Sequence, residues 1–138
     1  MKILIADDES IYRELLAGII AQWPEHQVTV AENGLEAWQL LDDPRRFFDL
    51  VFLDIKMPGL SGLEVLKRVR ATPMLQHTVV VMCTSISDRQ TILKAVHFGT
   101  KHYIVKPYNE AIIAGKLRLV SLMISQFPDH CLLKPRGQ

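Results

Sequence analysis

Polar residues able to do chemistry together stand at the ends of four short apolar runs. Asp7 and Asp8 follow residues 3–6, Asp54 follows residues 50–53, Thr84 follows residues 79–83 and Lys106 follows residues 103–105. Runs of this length and composition are typical of strands buried in a parallel sheet. The carboxyl ends of such strands share one edge of the sheet, where ligands bind in open α/β folds. The sequence therefore predicts three carboxylates, a hydroxyl and an ammonium at one edge, a set able to hold a divalent cation and a phosphoryl group.

Each of these residues also has a structural interpretation. Asp7 and Asp8 could cap a helix, Asp54 could cap a loop, and Thr84 and Lys106 could be ordinary residues at strand ends. Three acids converging on one edge, however, repel one another unless a cation lies between them. A hard cation such as Mg²⁺ takes one or two carboxylates and keeps several waters. The joint placement of the residues therefore favours a functional site.

Strands and helices alternate along the chain. Strands are predicted near residues 3–6, 27–31, 49–53, 78–83 and 102–105. Each is followed by apolar residues at helical spacing, and five such units in tandem predict a parallel sheet with helices on both faces. Right-handed crossovers favour a flavodoxin-like (βα)5 doubly wound parallel sheet with strand order 2-1-3-4-5.

The predicted helices have recognisable ends and apolar positions. Apolar residues at helical spacing include Ile11, Leu15, Leu16, Ile19 and Ile20 in helix 1, Leu35 in helix 2, and Leu93 and Val96 in helix 4. Capping groups are predicted at residues 8–10 before helix 1 and at Ser87 or Asp88 before helix 4. Asn33-Gly34 predicts a turn, and Phe127-Pro128 ends helix 5 because the residue before proline disfavours the α region.

Composition indicates one globular domain. The chain has 138 residues, is 49% hydrophobic and 22% charged, and carries a formal net charge of +1. A charge this small argues against direct binding of nucleic acid or of an acidic membrane surface. We expect the domain to span residues 1–127, with residues 128–138 as a C-terminal tail. Two cysteines and the lack of a secretory leader predict a cytoplasmic protein with reduced thiols.

The order and spacing of the edge residues resemble the receiver domain of the two-component response regulator family. The match covers about residues 2–125 and departs from the family at no essential position. It consists of Asp7-Asp8, Asp54, the loop Met57-Pro58-Gly59 with Gly62, Thr84-Ser85, and Tyr103 before Lys106-Pro107. A stand-alone regulator and the N-terminal receiver of a longer protein fit this sequence equally well.

The resemblance implies a role for each matching residue. Asp54 would accept a phosphoryl group from a histidine kinase or a phosphotransfer protein. Asp7, Asp8 and Asp54 would hold Mg²⁺, helped by the main-chain carbonyl of Lys56. Such a domain is not an enzyme with a separate substrate, but promotes its own aspartyl phosphorylation and dephosphorylation.

The resemblance also implies how the phosphoryl group is bound and how the domain responds to it. Lys106 and Thr84 would contact its oxygens, and Tyr103 would turn inward as Thr84 moves, changing the surface of helix 4, strand 5 and helix 5. The Lys106–Pro107 peptide would be cis. The remaining residues of the phosphate-binding set would be Ser85, Lys56 and Ile55.

Two other classes of protein fit the sequence less well. A haloacid-dehalogenase-like phosphatase has its nucleophilic aspartate on the first strand and a second acid two positions later, whereas Asp7 and Asp8 are adjacent. A flavodoxin-like cofactor binder needs a phosphate-binding loop after the first strand, where Asp7, Asp8 and Glu9 would repel a phosphate.

Helix 5 carries more apolar surface than a sheet-covering helix needs. Its apolar residues span roughly 160°, compared with the ~100° stripe that such a helix buries. They are Ile112, Ile113, Leu117, Leu119, Val120, Met123, Ile124 and Phe127. We therefore predict a self-association or partner-binding face, such as a homodimer contact, on helix 4, strand 5 and helix 5. The alternative is that the tail around Leu132 and Leu133 covers this face.

Overall fold

A five-stranded parallel sheet forms the centre of the computed structural model, which describes residues 1–85 and 89–126. The strands are β1 (Lys2–Ala6), β2 (Gln27–Ala31), β3 (Leu50–Asp54), β4 (Val79–Thr84) and β5 (His102–Val105). Their order is β2-β1-β3-β4-β5, and every neighbouring pair is parallel. The predicted flavodoxin-like topology is confirmed.

Helices cover both faces of the sheet. They are α1 (Ser10–Ile20), α2 (Gly34–Leu41), α3 (Gly62–Ala71), α4 (Arg89–His97) and α5 (Glu110–Gln126), with a short 3-10 helix at Pro73–Leu75. One apolar core lies between the sheet and α2, α3 and α4, and the other between the sheet and α1 and α5. Successive strand residues alternate between the two cores, as Leu4 and Ile5 do. Among the described helices, none is long and apolar enough to cross a membrane.

Two strands begin and end one residue later than predicted. β3 includes Asp54 and β4 includes Thr84, because parallel pairing continues to those positions: Asp54 is opposite Cys83, and Thr84 is opposite Val105. The two functional candidates are therefore the last residues of regular strands, where the ladder fixes their backbones.

Several apolar helix positions predicted from periodicity are exposed rather than buried. In α1, Leu16 and Ile20 are fully buried, whereas Ile11 is 68% exposed and Leu15 is 42% exposed. Leu35, Leu93 and Val96 are likewise exposed. The reason is geometric, since a helix packed on a sheet buries one narrow stripe and leaves the flanking positions open.

Two of the predicted helix ends differ from the structure. The N-cap residue of α1 is Glu9, which makes no side-chain capping hydrogen bond. Instead, Oδ1 of Asp7 accepts a hydrogen bond from the Glu9 N–H at 2.9 Å. Asn33 is a helix cap rather than part of a free turn, because its side chain accepts from the Glu36 N–H at 2.8 Å.

α2 lies unusually close to the loop before α3. A Cβ atom added to Gly34 would lie 1.7 Å from the main-chain oxygen of Leu60, so only glycine fits at this contact. The predicted caps Ser87 and Asp88, the helix stop at Phe127-Pro128 and the tail at 128–138 lie outside the described residues.

Candidate functional site

Three acids meet at the carboxyl edge of the sheet. Asp7 and Asp8 follow β1, and Asp54 ends the neighbouring strand β3. Carboxylate oxygens of the three residues lie within 4.8 Å of one another. Asp7 and Asp54 are only 2% and 6% exposed, whereas Asp8 is open to solvent. The structure therefore brings together the three acids that the sequence singled out.

Lys106 reaches into this acidic cluster from the end of β5. Its Nζ lies 2.8 Å from Oδ2 of Asp7 and 3.3 Å from Oδ1 of Asp54, and its side chain is 9% exposed. The Lys106 N–H donates to the carbonyl of Thr84 at 2.8 Å. The Lys106–Pro107 peptide is cis, as the family resemblance implied. One ammonium thus serves two buried carboxylates.

Among the described residues, the cluster contains more negative than positive charge, since three carboxylates face the single ammonium of Lys106. Burial, followed by the negative charge of Asp7, raises the pKa of Asp54 to about 7, although Lys106 opposes the rise. Burial works against the charge on Lys106, but the adjacent Asp7 and Asp54 outweigh it and raise the pKa of this lysine. Lys106 therefore stays protonated at neutral pH, while the Asp54 carboxylate is held at a cost in free energy.

The cluster has the donors that a hard divalent cation prefers. Oδ2 of Asp7 is buried, and within the described residues no group donates to it in hydrogen-bond geometry. Its close polar contact is the ion pair with Lys106. A buried carboxylate oxygen whose close partner is a single ammonium, beside two further carboxylates, fits an oxygen-liganded cation such as Mg²⁺.

The loop after β3 is anchored behind Asp54. The Ile55 N–H donates to the carbonyl of Cys83 at 3.1 Å, and the Gly62 N–H donates to the carbonyl of Ile55 at 2.9 Å. A Cβ atom on Gly62 would lie 2.0 Å from the main-chain oxygen of Asp54, so α3 can begin this close only with glycine. Ile55 is consequently buried, while the next residue, Lys56, is exposed.

A cleft of about 490 Å³ opens beside the cluster. Its lining includes Asp8, Ile55, Lys56 and Thr91. The exposed carboxylate of Asp8 thus borders this cleft, whereas Asp7 and Asp54 are buried.

The residues predicted to respond to the phosphoryl group lie on β4 and β5, on the side of Asp54 opposite to Asp7 and Asp8. Thr84 is buried, and its Oγ1 donates to the carbonyl of Ser85 at 3.0 Å, whereas Ser85 is exposed. Tyr103 lies on the edge strand β5 and is 50% exposed. The structure therefore places Tyr103 half-exposed at the edge of the sheet.

Sequence reasoning missed contacts that the first turn of α1 makes with the cluster. Nη1 of Arg13 donates to the main-chain oxygen of Asp7 at 2.8 Å, and Nη2 lies 3.6 Å from Glu32. The aromatic ring of Tyr12 lies under the Lys106 ammonium. The sequence position of these two residues could have indicated the contacts, because a helix that directly follows a strand begins over the same edge of the sheet.

Cys83 is opposite Asp54 in the sheet but is not a second nucleophile. Its thiol is 1% exposed, and burial raises the pKa of Cys83 to about 12. Since the thiolate is the reactive form, this thiol is inert at neutral pH.

Comparison with known proteins identifies the class of domain that carries this fold and edge. Residues 3–118 match the response regulator receiver domain family. Chemotaxis protein CheY-3 of Vibrio cholerae is 37% identical over 117 residues, covering 85% of this chain and 88% of that protein. Chemotaxis protein CheY1 of Helicobacter pylori is 31% identical over 120 residues, covering 87% and 96%. The REC domain of AraT, a response regulator from Geobacillus stearothermophilus, superposes with a TM-score of 0.81 at 30% identity, covering 91% and 95%.

The chain therefore belongs to the response regulator receiver domain family. It is a signalling domain of two-component type, and the comparisons support neither a haloacid-dehalogenase-like phosphatase nor a flavodoxin-like cofactor binder.

Proposed function

We propose that Asp54 is the phosphoacceptor and that a histidine kinase or a phosphotransfer protein is the donor. The observation that carries the proposal is the environment of Asp54. It is a buried carboxylate at the end of a central strand, with the Lys106 ammonium 3.3 Å away and two further acids within 4.8 Å. Charged groups crowded in this way do not stabilise the fold, so a functional role is the better explanation for them.

The transfer requires only one bond to form and one to break. A carboxylate oxygen of Asp54 attacks the phosphorus, and the phosphorus–nitrogen bond of the donor phosphohistidine breaks. The bonding electron pair stays on the imidazole, and the product is an acyl phosphate. Catalysis of such a step consists mainly of positioning and of neutralising charge on the phosphoryl oxygens.

Lys106 and Thr84 supply part of that neutralisation. Lys106 is already beside Asp54 and protonated, so its ammonium pairs with a phosphoryl oxygen when the acyl phosphate forms. The hydroxyl of Thr84 now donates to the Ser85 carbonyl, and rotation about its side chain redirects that donor to a phosphoryl oxygen. Ser85, Ile55 and Lys56 complete the proposed phosphate-binding set.

Mg²⁺ is the proposed cofactor. Asp7, Asp8, Asp54 and the main-chain carbonyl of Lys56 would hold it. When bound, the cation supplies positive charge next to the phosphoryl oxygens and relieves the repulsion among the acids. The domain would in this way promote its own phosphorylation and dephosphorylation.

The proposed output surface lies on α4, β5 and α5. Movement of Thr84 would be followed by inward rotation of Tyr103, which now lies half-exposed on β5. Large apolar side chains exposed on these elements support a contact face for a second copy or another protein. They are Leu93, Val96, Tyr103, Val105, Ile112, Leu119 and Leu122. We assign this switching domain to residues 1–127.

Incubation with a low-molecular-weight acyl phosphate and Mg²⁺ tests the phosphoacceptor. Mass spectrometry should show one added phosphoryl group on the wild type and none on Asp54→Ala. The matched control is Asp49→Asn, since Asp49 is equally buried but lies at the opposite end of β3. Labelling of Asp54→Ala at the wild-type level would refute the assignment, and labelling undiminished by chelation would refute the role of Mg²⁺.

Sedimentation with and without an acyl-phosphate mimic tests the output surface. We expect association that increases with the mimic and is lost in Leu119→Lys. The matched control is Leu35→Lys, which adds the same charge at an exposed leucine of α2. If the wild type stays monomeric and captures no partner through this face, the assignment is wrong.

A further inference from the structure

The ammonium of Lys106 has a third neighbour besides its two carboxylates. Nζ lies 4.1 Å from the ring centroid of Tyr12, which stands in the first turn of α1. A lysine ammonium within about 6 Å of a ring centroid is attracted to the negative face of the aromatic ring. Since the Lys106 side chain is 9% exposed, little water competes with this contact.

Tyr12 is itself held in place by a second tyrosine. Its ring meets that of Tyr108 edge-to-face, with centroids 5.7 Å apart and planes at 77°. Tyr108 follows the cis Lys106–Pro107 peptide and packs against the core formed by α1, α5 and the sheet. The ring of Tyr12 therefore contacts both the ammonium of Lys106 and a tyrosine only two residues further along the same loop.

The aromatic contact differs from the two ion pairs in what phosphorylation does to it. Converting Asp54 to an acyl phosphate removes the negative charge of its carboxylate and places new charge on the phosphoryl oxygens. Lys106 must then leave one partner and reach another, and a flexible lysine side chain can adopt many positions when it does so. The Tyr12 ring is uncharged and keeps its place, so it can restrain the ammonium throughout.

We infer that Tyr12 is a positioning residue for Lys106 in phosphoryl transfer to Asp54. The inference rests on the function proposed above. Tyr12 acts through the lysine: its ring limits the positions of Nζ to those from which a phosphoryl oxygen at Asp54 is within reach.

The first test is the rate of phosphorylation by a low-molecular-weight acyl phosphate at saturating Mg²⁺. Tyr12→Leu should be about three- to tenfold slower than wild type, the range that a partly desolvated cation–π contact corresponds to. Tyr12→Phe keeps the ring and should stay within about twofold of wild type. Ile11→Ala is the matched control, because Ile11 is the preceding residue of α1 and is 68% exposed; it should not change the rate.

Two further readouts separate positioning from a general structural effect. Mg²⁺ affinity, measured by calorimetry, should be the same in Tyr12→Leu and wild type, since Tyr12 contacts the ammonium of Lys106 and is not one of the residues proposed to hold the cation. In nuclear magnetic resonance spectra, the ring current of Tyr12 should shift the ε-methylene resonance of Lys106 upfield. That shift should persist in Tyr12→Phe and vanish in Tyr12→Leu, with Lys106→Arg identifying the resonance.

Each outcome distinguishes this inference from the proposed function. If the wild type takes no phosphoryl group, or Asp54→Ala takes one, the proposed function fails and this inference with it. If the wild type is phosphorylated normally but Tyr12→Leu is equally fast, or Tyr12→Phe is as slow as Tyr12→Leu, only the role of Tyr12 is refuted. Tyr12→Met provides the same comparison if Tyr12→Leu does not fold.

Discussion

The two ends of β3 each carry a buried aspartate, and the two residues are in opposite situations. Asp49 precedes the strand and is 5% exposed, while Asp54 ends it and is 6% exposed. Oδ2 of Asp49 accepts a hydrogen bond from the Lys2 N–H at 2.8 Å, and the Asp49 N–H donates to the Lys2 carbonyl at the same distance. Asp49 therefore ties the start of β3 to β1, which is a structural task.

Asp54 faces other acids and the ammonium of Lys106. Its ammonium partner is shared with Asp7, and burial beside Asp7 raises the pKa of Asp54 to about 7. Equal burial thus gives a stabilising contact at one end of the strand and an electrostatic cost at the other. What distinguishes the structural carboxylate of Asp49 from that of Asp54, the proposed phosphoacceptor, is the set of groups facing each, and four measurements can test that difference.

The largest effect is expected when the shared cation is removed. Lys106→Met leaves Asp7 and Asp54 buried without a counter-charge, so the free energy of unfolding in metal-free buffer at pH 8 should fall by about 2–4 kcal/mol. Urea denaturation measures it, with the exposed Lys101→Met as control. Adding Asp54→Asn to Lys106→Met should recover part of the loss. No loss in the single variant would mean that the acids do not depend on Lys106.

Removing the structural carboxylate should have a smaller effect. Asp49→Ala deletes the acceptor of the Lys2 N–H, and we expect the free energy of unfolding to fall by about 1–3 kcal/mol. Glu14→Ala, at an exposed position of α1, is the control. Phosphorylation of the folded Asp49→Ala protein should proceed at the wild-type rate. A specific loss of phosphorylation would break the distinction between the two ends of β3.

Neutralising Asp54 should increase the free energy of unfolding rather than decrease it. Asp54→Asn removes the penalised charge, so the metal-free protein should gain about 1–2 kcal/mol of stability at pH 8. The folded pKa of Asp54 is raised to about 7, so wild-type stability falls as the pH rises from the unfolded value near 3.8 through about 7.

The gain in Asp54→Asn should therefore be near zero at pH 4 and complete above about pH 7. Urea denaturation at a series of pH values measures it, and Asp49→Asn should show no such gain. A destabilised Asp54→Asn protein at pH 8 would contradict the electrostatic account of the site.

The smallest expected effect is stabilisation by Mg²⁺. A cation that binds only the folded state adds about 1 kcal/mol at five times its Kd. Thermal unfolding should show this gain in wild type and in Asp49→Asn, and a reduced gain in Asp54→Asn. Equal gains in all three proteins would place the cation elsewhere.

Much of the fold could be predicted because it depends on local pattern. The runs at residues 27–31 and 102–105 became β2 and β5 with the predicted bounds, since short β-branched segments between turns have few alternatives. The ends of β3 and β4 were one residue off, because strand ends depend on pairing with a neighbour. Burial on helices was least predictable: Ile11 and Leu16 are both apolar residues of α1, yet 68% and 0% exposed.

The candidate site likewise combines features that local sequence pattern predicts with features that depend on contacts between side chains. Asp7, Asp8, Asp54 and Lys106 could be named from sequence because each ends an apolar run and parallel strands bring such ends to one edge. Asn33 was predicted to lie in a turn and is a helix cap, because side-chain hydrogen bonding decides between the two.

The sequence by itself determined the order of strands and helices, the edge at which the charged residues gather, and the family to which the chain belongs. The tertiary structure decided that Asp49 is satisfied by Lys2 while Asp54 shares one lysine with Asp7, and that Tyr12 lies under that lysine. The physical reason is the distance along the chain over which each kind of interaction acts. Apolar periodicity acts between near neighbours in the chain, whereas the charge, burial and aromatic contacts of a side chain depend on segments that meet only when the sheet and its helices have packed.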